Sequence, residues 1–151
     1  MDKNQVLAQV TQLWNNNIPF NQLLGFTITR MDPQESEIQF QWKHDLMGNP
    51  VQKILHGGVI ASVLDMVGGV VAAANIIENL PELNDTIIHD KLSRMSTIDL
   101  RTDFLRPGKG ELFIATAKII RKGSKVAVAR MELHNQKGTH IAFGTGTYIV
   151  G

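Results

Sequence analysis

Apolar residues near the start of the chain recur every three to four positions, which is the period of an amphipathic helix. This pattern predicts a helix over residues 3–16, which Asn15–Asn17 and Pro19 should end. The residues that carry the pattern are Val6, Leu7, Val10, Leu13 and Trp14.

Later in the chain, apolar and polar residues alternate in short runs that predict strands. The clearest alternation is in residues 126–134, where small or apolar residues at odd positions should face a core. Turn-forming residues separate most of the runs, as at Asp32-Pro33 and Gly123-Ser124. The predicted strands are Phe26–Met31, Glu37–Lys43, Ser96–Leu105, Glu111–Lys122, Lys125–His134 and His140–Val150.

A long apolar run from Gly57 to Ile77 carries a single charge, Asp65. The run is long enough to span a bilayer. However, a carboxylate in mid-membrane costs about 2.5–3.5 kcal/mol. The rest of the chain has the pattern of strands joined by charged turns. We therefore expect no membrane insertion. A helix that is apolar on nearly all sides must be covered, so the prediction is an α+β fold with about six antiparallel strands around this helix.

The rest of the chain gives weaker signals. Residues 44–55 are rich in Gly, Asn and Pro and predict a loop, and residues 79–95 show no clear period. No repeat, linker or low-complexity segment divides the chain. We expect one domain spanning residues 1–151.

Composition excludes several kinds of site and partner. The net charge is +1 with basic residues scattered along the chain, so no nucleic-acid partner is expected. The chain has no cysteine, which excludes disulfides and thiolate chemistry and is compatible with a cytoplasmic location. Its first residues are polar and do not resemble a secretory signal. The five histidines lack the spacing of a zinc site, so no metal is expected.

The tripeptide His56-Gly57-Gly58 opens the predicted apolar helix. The first N–H groups of a helix have no internal partners, and the helix dipole makes that end attractive to negative charge. The Gly57 and Gly58 amides are therefore candidates for stabilising an oxyanion, a contact worth about 2.7–4 kcal/mol in a transition state. Alternatively, the glycines only permit a tight turn into the helix.

Asp65 is the second candidate, because a carboxylate on an apolar helix needs a partner or a purpose. It could act as a general base or attack directly as a nucleophile. It could equally be a structural acid bonded to backbone groups.

The spacing of these candidates predicts an assembly. His56 and Asp65 are nine residues apart, so on an unbroken helix they are separated by about 13.5 Å and leave on opposite faces. If both act on one substrate, they must come from different subunits. A two-fold dimer would then contain two equivalent composite sites.

Three segments together resemble the PaaI-like group of hotdog-fold thioesterases. They are HGGVIASVLD (His56–Asp65), TIDLRTDFLRP (Thr97–Pro107) and RKGSKVAVARMEL (Arg121–Leu133). The similarity extends from about Phe26 to Tyr148. It implies a hotdog fold and homodimers that often pair into tetramers.

The resemblance also implies roles for single residues. The Gly57 N–H would polarise the thioester carbonyl, and Asp65 of the opposite subunit would be the general base or nucleophile. His56 would hold the loop and assist at the carbonyl. Thr97 matches a hydroxyl residue that helps to position water in some members. An Asn before HGG often binds the carbonyl, for which Asn49 is the candidate and Gln52 the substitute.

Basic residues near strand ends are candidates for binding the phosphates of coenzyme A (CoA), although each alone is typical of a solvated turn. They are Arg106, Lys109, Arg121, Lys122 and Lys125. Hydrolysis would need no cofactor, since CoA belongs to the substrate.

The predicted function is hydrolysis of acyl-CoA, and the segment from Gly48 to Asp65 resembles a bacterial subgroup acting on medium and long chains. Two alternatives stay open: a hotdog dehydratase or hydratase of 3-hydroxyacyl thioesters, and a non-catalytic acyl-CoA-binding module. Residues 79–95 could cover an acyl tunnel or be a surface connection.

Overall fold

The computed structural model describes residues 1–151 and contains four α-helices and eight strands. The helices are α1 (Lys3–Asn17), α2 (Pro19–Leu24), α3 (Gly57–Glu78) and α4 (Asp85–Ser93). The strands are β1 (Thr27–Arg30), β2 (Ser36–Gln41), β3 (Met47–Asn49), β4 (Ile54–Leu55), β5 (Ser96–Phe104), β6 (Leu112–Lys122), β7 (Val126–Asn135) and β8 (His140–Ile149).

Six of the strands form one antiparallel sheet in the order β1-β2-β6-β7-β8-β5, and β3 pairs with β4 in a separate hairpin. Helix α3 packs across five strands of the sheet. The α+β prediction, with about six antiparallel strands and a long central helix, is confirmed.

The alternation in residues 126–134 determines which face of β7 is covered. Ala127, Ala129, Met131 and Leu133 are completely buried, whereas the residues between them are exposed or half-buried. Helix α3 has the length and composition of a membrane span, yet thirteen of its 22 residues are buried within the protein. It is the core helix of this fold.

The N-terminal helix extends to Asn17, close to its predicted end, but the chain beyond it differs from the prediction. Pro19 occupies the first turn of α2 rather than ending helical structure. Proline suits that position because the first turn needs no N–H from it. Gly25 then ends α2 with a left-handed φ of 76°.

The prediction that residues 79–95 are irregular is wrong, because they contain α4. The side chain of Asn84 accepts hydrogen bonds from the Thr86 and Ile87 N–H groups and so caps the helix. Asp85 lies in the first turn and Lys91 in the last, where their charges favour the helix dipole. Only Ile88 of α4 is buried, which explains the absence of a strong apolar period.

Tyr148 of β8 fixes the position of α3 on the sheet. Its hydroxyl donates a hydrogen bond of 2.9 Å to the backbone carbonyl of Asp65. Two glycines make room for it, since a Cβ atom would lie 2.1 Å from the hydroxyl oxygen at Gly68 and 2.6 Å at Gly146. Both distances are shorter than any real contact. Tyr148 can therefore occupy this position only because residues 68 and 146 have no side chain.

This packing predicts opposite effects of the same substitution at neighbouring glycines. Gly68→Ala should lower the free energy of unfolding by about 1–3 kcal/mol through overpacking. Gly69→Ala should raise it by roughly 0.5–1 kcal/mol, because its nearest neighbour atom would be 3.9 Å away. Urea unfolding of both variants tests this, and equal effects would contradict the packing role of Tyr148.

Candidate active site

The start of α3 leaves one backbone amide without a partner. The Gly58 N–H donates to Nδ1 of His56 at 2.8 Å, and the Val59 and Ile60 N–H groups donate to the His56 carbonyl. The Gly57 N–H has no such acceptor, and the residue is exposed. Gly57 thus offers a donor at the positive end of a helix dipole, while the Gly58 amide is already used.

His56 caps α3 with its side chain and is held in place by its own backbone. Its N–H donates to the Leu46 carbonyl at 2.8 Å. Because Nδ1 accepts a hydrogen bond, a neutral imidazole carries its proton on Nε2. Gly48 permits this arrangement, since a Cβ atom there would lie 2.5 Å from the His56 Cα. Sequence reasoning missed Gly48, because only the close approach of β3 reveals its role.

Asp65 and Thr97, two of the predicted site residues, lie together. The Thr97 hydroxyl donates to Oδ1 of Asp65 at 2.9 Å. Although Asp65 lies on an apolar helix, it is half-buried in the single chain rather than enclosed in the core. The reason is that its side of α3 faces an open cavity instead of the sheet.

This cavity has a volume of about 260 Å³ and lies between α1, α3, α4 and β5. Asp65, Ser96, Thr97 and Tyr148 form its polar part. The rest of its wall is largely apolar. The large apolar side chains in the wall are Trp14, Ile18, Met66, Leu92 and Met95.

Tyr148 lies beside Asp65 and was not predicted as a site residue. Burial, and secondly the neighbouring Asp65, raise the pKa of Tyr148 above its usual range. The phenol therefore stays protonated and keeps donating its hydrogen bond to the Asp65 backbone. The sequence offered one signal, since Tyr148 is the only tyrosine in the chain.

His56 and Gly57 lie apart from Asp65 within one chain. Helix α3 is unbroken from Gly57 to Glu78. His56 and Asp65 are therefore held apart, as expected from their nine-residue spacing on an unbroken helix. The eight steps along the helix from Gly57 to Asp65 correspond to a rise of about 12 Å. Neither His56 nor Gly57 lines the cavity that contains Asp65.

Asn49 is the last residue of β3, and Gln52 lies in the turn between β3 and β4. The Asn49 Oδ1 accepts from the Val51 and Gln52 N–H groups at 3.0 and 3.1 Å, so it holds the turn together. Its Nδ2 donates no hydrogen bond within the chain and is the group that could bind a carbonyl. Gln52 is exposed.

The predicted basic residues do not form one cluster. Arg106 and Lys109 lie before β6, whereas Arg121, Lys122 and Lys125 lie at its far end or beyond it, about 30 Å away. Arg106 and Lys109 line a polar cleft of about 760 Å³ together with Lys53 and Lys137. This cleft adjoins the start of α3, because the Leu55 N–H donates to the Gly108 carbonyl. No three His, Asp or Glu residues are grouped as metal ligands would be.

Comparison with known proteins identifies the family. Residues 52–142 match the model of the family described as the thioesterase superfamily. The chain belongs to the thioesterase superfamily. The matched residues include the whole of α3 and most of the sheet, and its architecture is the hotdog fold that the motifs implied.

Similar proteins span nearly the whole length of this superfamily member. The medium/long-chain acyl-CoA thioesterase YigI of Escherichia coli is 44% identical over 97% of this chain and 95% of its own. A crystal structure from Shewanella oneidensis, described as related to the thioesterase superfamily, has 46% identity and a TM-score of 0.94 over 99% and 97% of the two chains. The E. coli PaaI protein shares the fold, with a TM-score of 0.79 at 20% identity over 99% and 96%.

Because this thioesterase-superfamily protein has one tyrosine, its ultraviolet tyrosinate absorbance reports Tyr148 alone. We expect no tyrosinate near pH 10 while the protein is folded, and titration near pH 10 once guanidinium unfolds it. The folded state holds the phenolic proton more tightly. Its contribution to stability is therefore complete below about pH 10 and is lost as the pH rises above that value.

The matched control is Tyr148→Phe, which should abolish the signal in both states. Ordinary titration of the folded protein near pH 10 would show that Tyr148 is not held by Asp65 and its buried surroundings.

Proposed function

We propose that this protein hydrolyses acyl-CoA thioesters with medium to long acyl chains, giving a free acid and CoA. The observation that carries the proposal is the pair of groups on α3: an unpartnered Gly57 N–H at its start and the Asp65–Thr97 pair further along. The activity of the E. coli relative supports the choice of substrate. Single-domain organisation and a cytoplasmic location stay predictions.

In the proposed reaction, the Gly57 N–H donates to the thioester carbonyl oxygen and stabilises the charge that develops there. Asp65 removes a proton from water, and Thr97 orients that water beside the carboxylate. The new C–O bond forms, the C–S bond breaks, and the CoA thiolate leaves and takes up a proton. His56 fixes the helix start, and its Nε2 proton faces away from the cap. This reaction uses water alone and requires no cofactor.

The two halves of the site come from different protomers in this proposal. Within one chain, about 12 Å of helix separates Gly57 from Asp65. Strand β5 pairs only with β8, so its other edge is free. Ile98 and Phe104 on β5 are more than half exposed, and an apolar free edge is suited to pairing with another chain. We infer a two-fold dimer joined along β5, and the pairing of dimers into tetramers stays a prediction.

The cleft formed by Arg106, Lys109, Lys53 and Lys137 is the proposed site for the CoA phosphates, because it adjoins Gly57. Arg121, Lys122 and Lys125 lie too far from it to contact the same phosphates from one chain. They remain candidates for contacts from a neighbouring subunit. The Asn49 amide group is the proposed second donor to the carbonyl, with Gly58 shaping the turn and Gln52 as the alternative donor.

Thiol release from acyl-CoA substrates tests the proposal. Asp65→Asn should lower kcat by about 10²–10⁴-fold, the usual contribution of a general base, while far-ultraviolet circular dichroism stays unchanged. Thr97→Ser should keep most activity because it keeps the hydroxyl, and Thr97→Val should lose it.

Tight acyl-CoA binding by the wild type without thiol release would point to a binding module. Conversion of an enoyl-CoA would point to a hydratase. If Asp65 attacks directly and water then opens the mixed anhydride at the Asp65 carboxyl carbon, a single turnover in labelled water leaves the oxygen label in the Asp65 side chain. Retention of near-normal turnover by Asp65→Asn would remove Asp65 from the mechanism.

Gly57→Pro removes the proposed oxyanion donor and is compatible with the local backbone. Proline is favoured at the first helical position, and His56 already has the extended backbone (φ −61°, ψ 137°) that a following proline requires. We expect kcat to fall about 10²–10³-fold. Gly57→Ala keeps the N–H, and its Cβ would lie at an ordinary 3.5 Å from Phe104, so it should stay active.

Refolding Gly57→Pro together with Asp65→Asn tests the shared site. In a mixed dimer, one site receives both defects and the other receives neither. About a quarter of wild-type activity should return. If no activity returns although mass measurement shows mixed dimers, the shared-site proposal is wrong.

A further inference from the structure

We propose that a groove between α1 and α4 binds the distal part of a long acyl chain, so that these two helices set the chain-length preference. This inference rests on the proposed function and adds a second acyl subsite beyond the cavity that contains Asp65. Two cavities meet at the same two side chains, Trp14 and Leu92.

The cavity beside Asp65 is small. A methylene group needs about as much space as a water molecule in the liquid, about 30 Å³. A volume of 260 Å³ therefore holds about eight carbons of an acyl chain. A longer chain must leave this cavity in some direction.

A second cavity of about 490 Å³ lies between α1 and α4. Trp14 and Leu92 line both cavities, so the two spaces adjoin at this pair. The floor of the second cavity is apolar, with Val6, Val10 and Ile88 buried beneath it. Polar groups such as Gln9 and Asp85 are confined to its rim. Along α1 it extends about 12 Å from Val6 to Trp14.

The lining of this groove suits an alkyl chain better than other occupants. Leu13 is 56% exposed at its wall, so an apolar surface is left open to water. The groove carries no cluster of charges that would favour a charged ligand, and at Trp14 and Leu92 it adjoins the cavity that contains the Asp65 carboxylate, at which the thioester is proposed to react. The occupant is therefore the tail of the same acyl-CoA, entering between Trp14 and Leu92.

Leu13→Trp and Ser93→Trp test the groove from its two walls. Both positions are exposed and neither lines the Asp65 cavity. Each methylene displaced from an apolar site costs about fourfold in binding. We therefore expect the kcat/KM ratio of hexadecanoyl-CoA to octanoyl-CoA to fall by about tenfold or more. The matched control is Leu23→Trp on α2, which is also exposed and lines neither cavity, and it should leave the ratio unchanged.

A parallel loss for both substrates, or an unchanged ratio in both groove variants, would overturn the inference. Circular dichroism and thermal unfolding establish that each variant is folded.

A binding measurement separates this inference from the proposed function. The chain has two tryptophans, Trp14 and Trp42, so Trp42→Phe leaves Trp14 as the only reporter. In a Trp42→Phe, Asp65→Asn background, hexadecanoyl-CoA should shift the Trp14 emission to shorter wavelength. No shift at saturating ligand would overturn the groove. Absence of thiol release by the wild type would instead overturn the proposed hydrolysis and leave this result standing.

Discussion

The burial of α3 against the sheet is the constraint on which the rest of the molecule depends. The helix is apolar on most sides, and residues such as Val63, Leu64 and Val67 are completely excluded from water. Such a helix cannot rotate or slide without exposing large apolar side chains. Tyr148 adds a specific contact, because its hydroxyl fits between Gly68 and Gly146 and bonds to the Asp65 backbone. The fold thereby fixes the positions of the Gly57 N–H and of Asp65 on the sheet.

A rigid helix that carries both of the proposed reactive groups also prevents them from acting together within one chain. Gly57 and Asp65 are held apart by more than two turns, and no side-chain rotation can close that distance. A site needing both groups must bring two helices together. The free edge of β5 and its exposed apolar residues give the chain a surface on which such a pairing could form. Assembly is thus part of the proposed mechanism rather than an addition to it.

The sequence was informative wherever a pattern was long or a residue type was unusual for its surroundings. The strands of the 121–133 hairpin carry an alternating pattern, the apolar helix is a continuous apolar run of many residues, and Asp65 is conspicuous as the one charge in that run. Short elements were missed: α4 buries only Ile88 and so has little period, although its Asn84 cap was a readable signal. Asp65 is half-exposed because α1 and α4 leave an open cavity beside it. No local sequence pattern predicts how these two helices pack. The prediction grouped the basic residues because they share a positive charge. In the structure they lie at opposite ends of β6, which is too long for them to form one cluster.

The surfaces around Gly57 and Asp65 differ from each other in the same way as the two halves of the proposed substrate. Around Gly57 the neighbouring surface is polar and basic, with Arg106 and Lys109 beyond β4. Around Asp65 it is apolar, because α1 and α4 add Trp14 and Leu92 to the wall. An acyl-CoA has the same division, with a charged nucleotide on one side of the thioester and an alkyl chain on the other. If one protomer supplies Gly57 and its partner supplies Asp65, the thioester lies where the basic surface of one meets the apolar surface of the other. In this proposal the sheet and α3 position the reacting groups, while α1 and α4 are the elements that can change to accept another acyl chain.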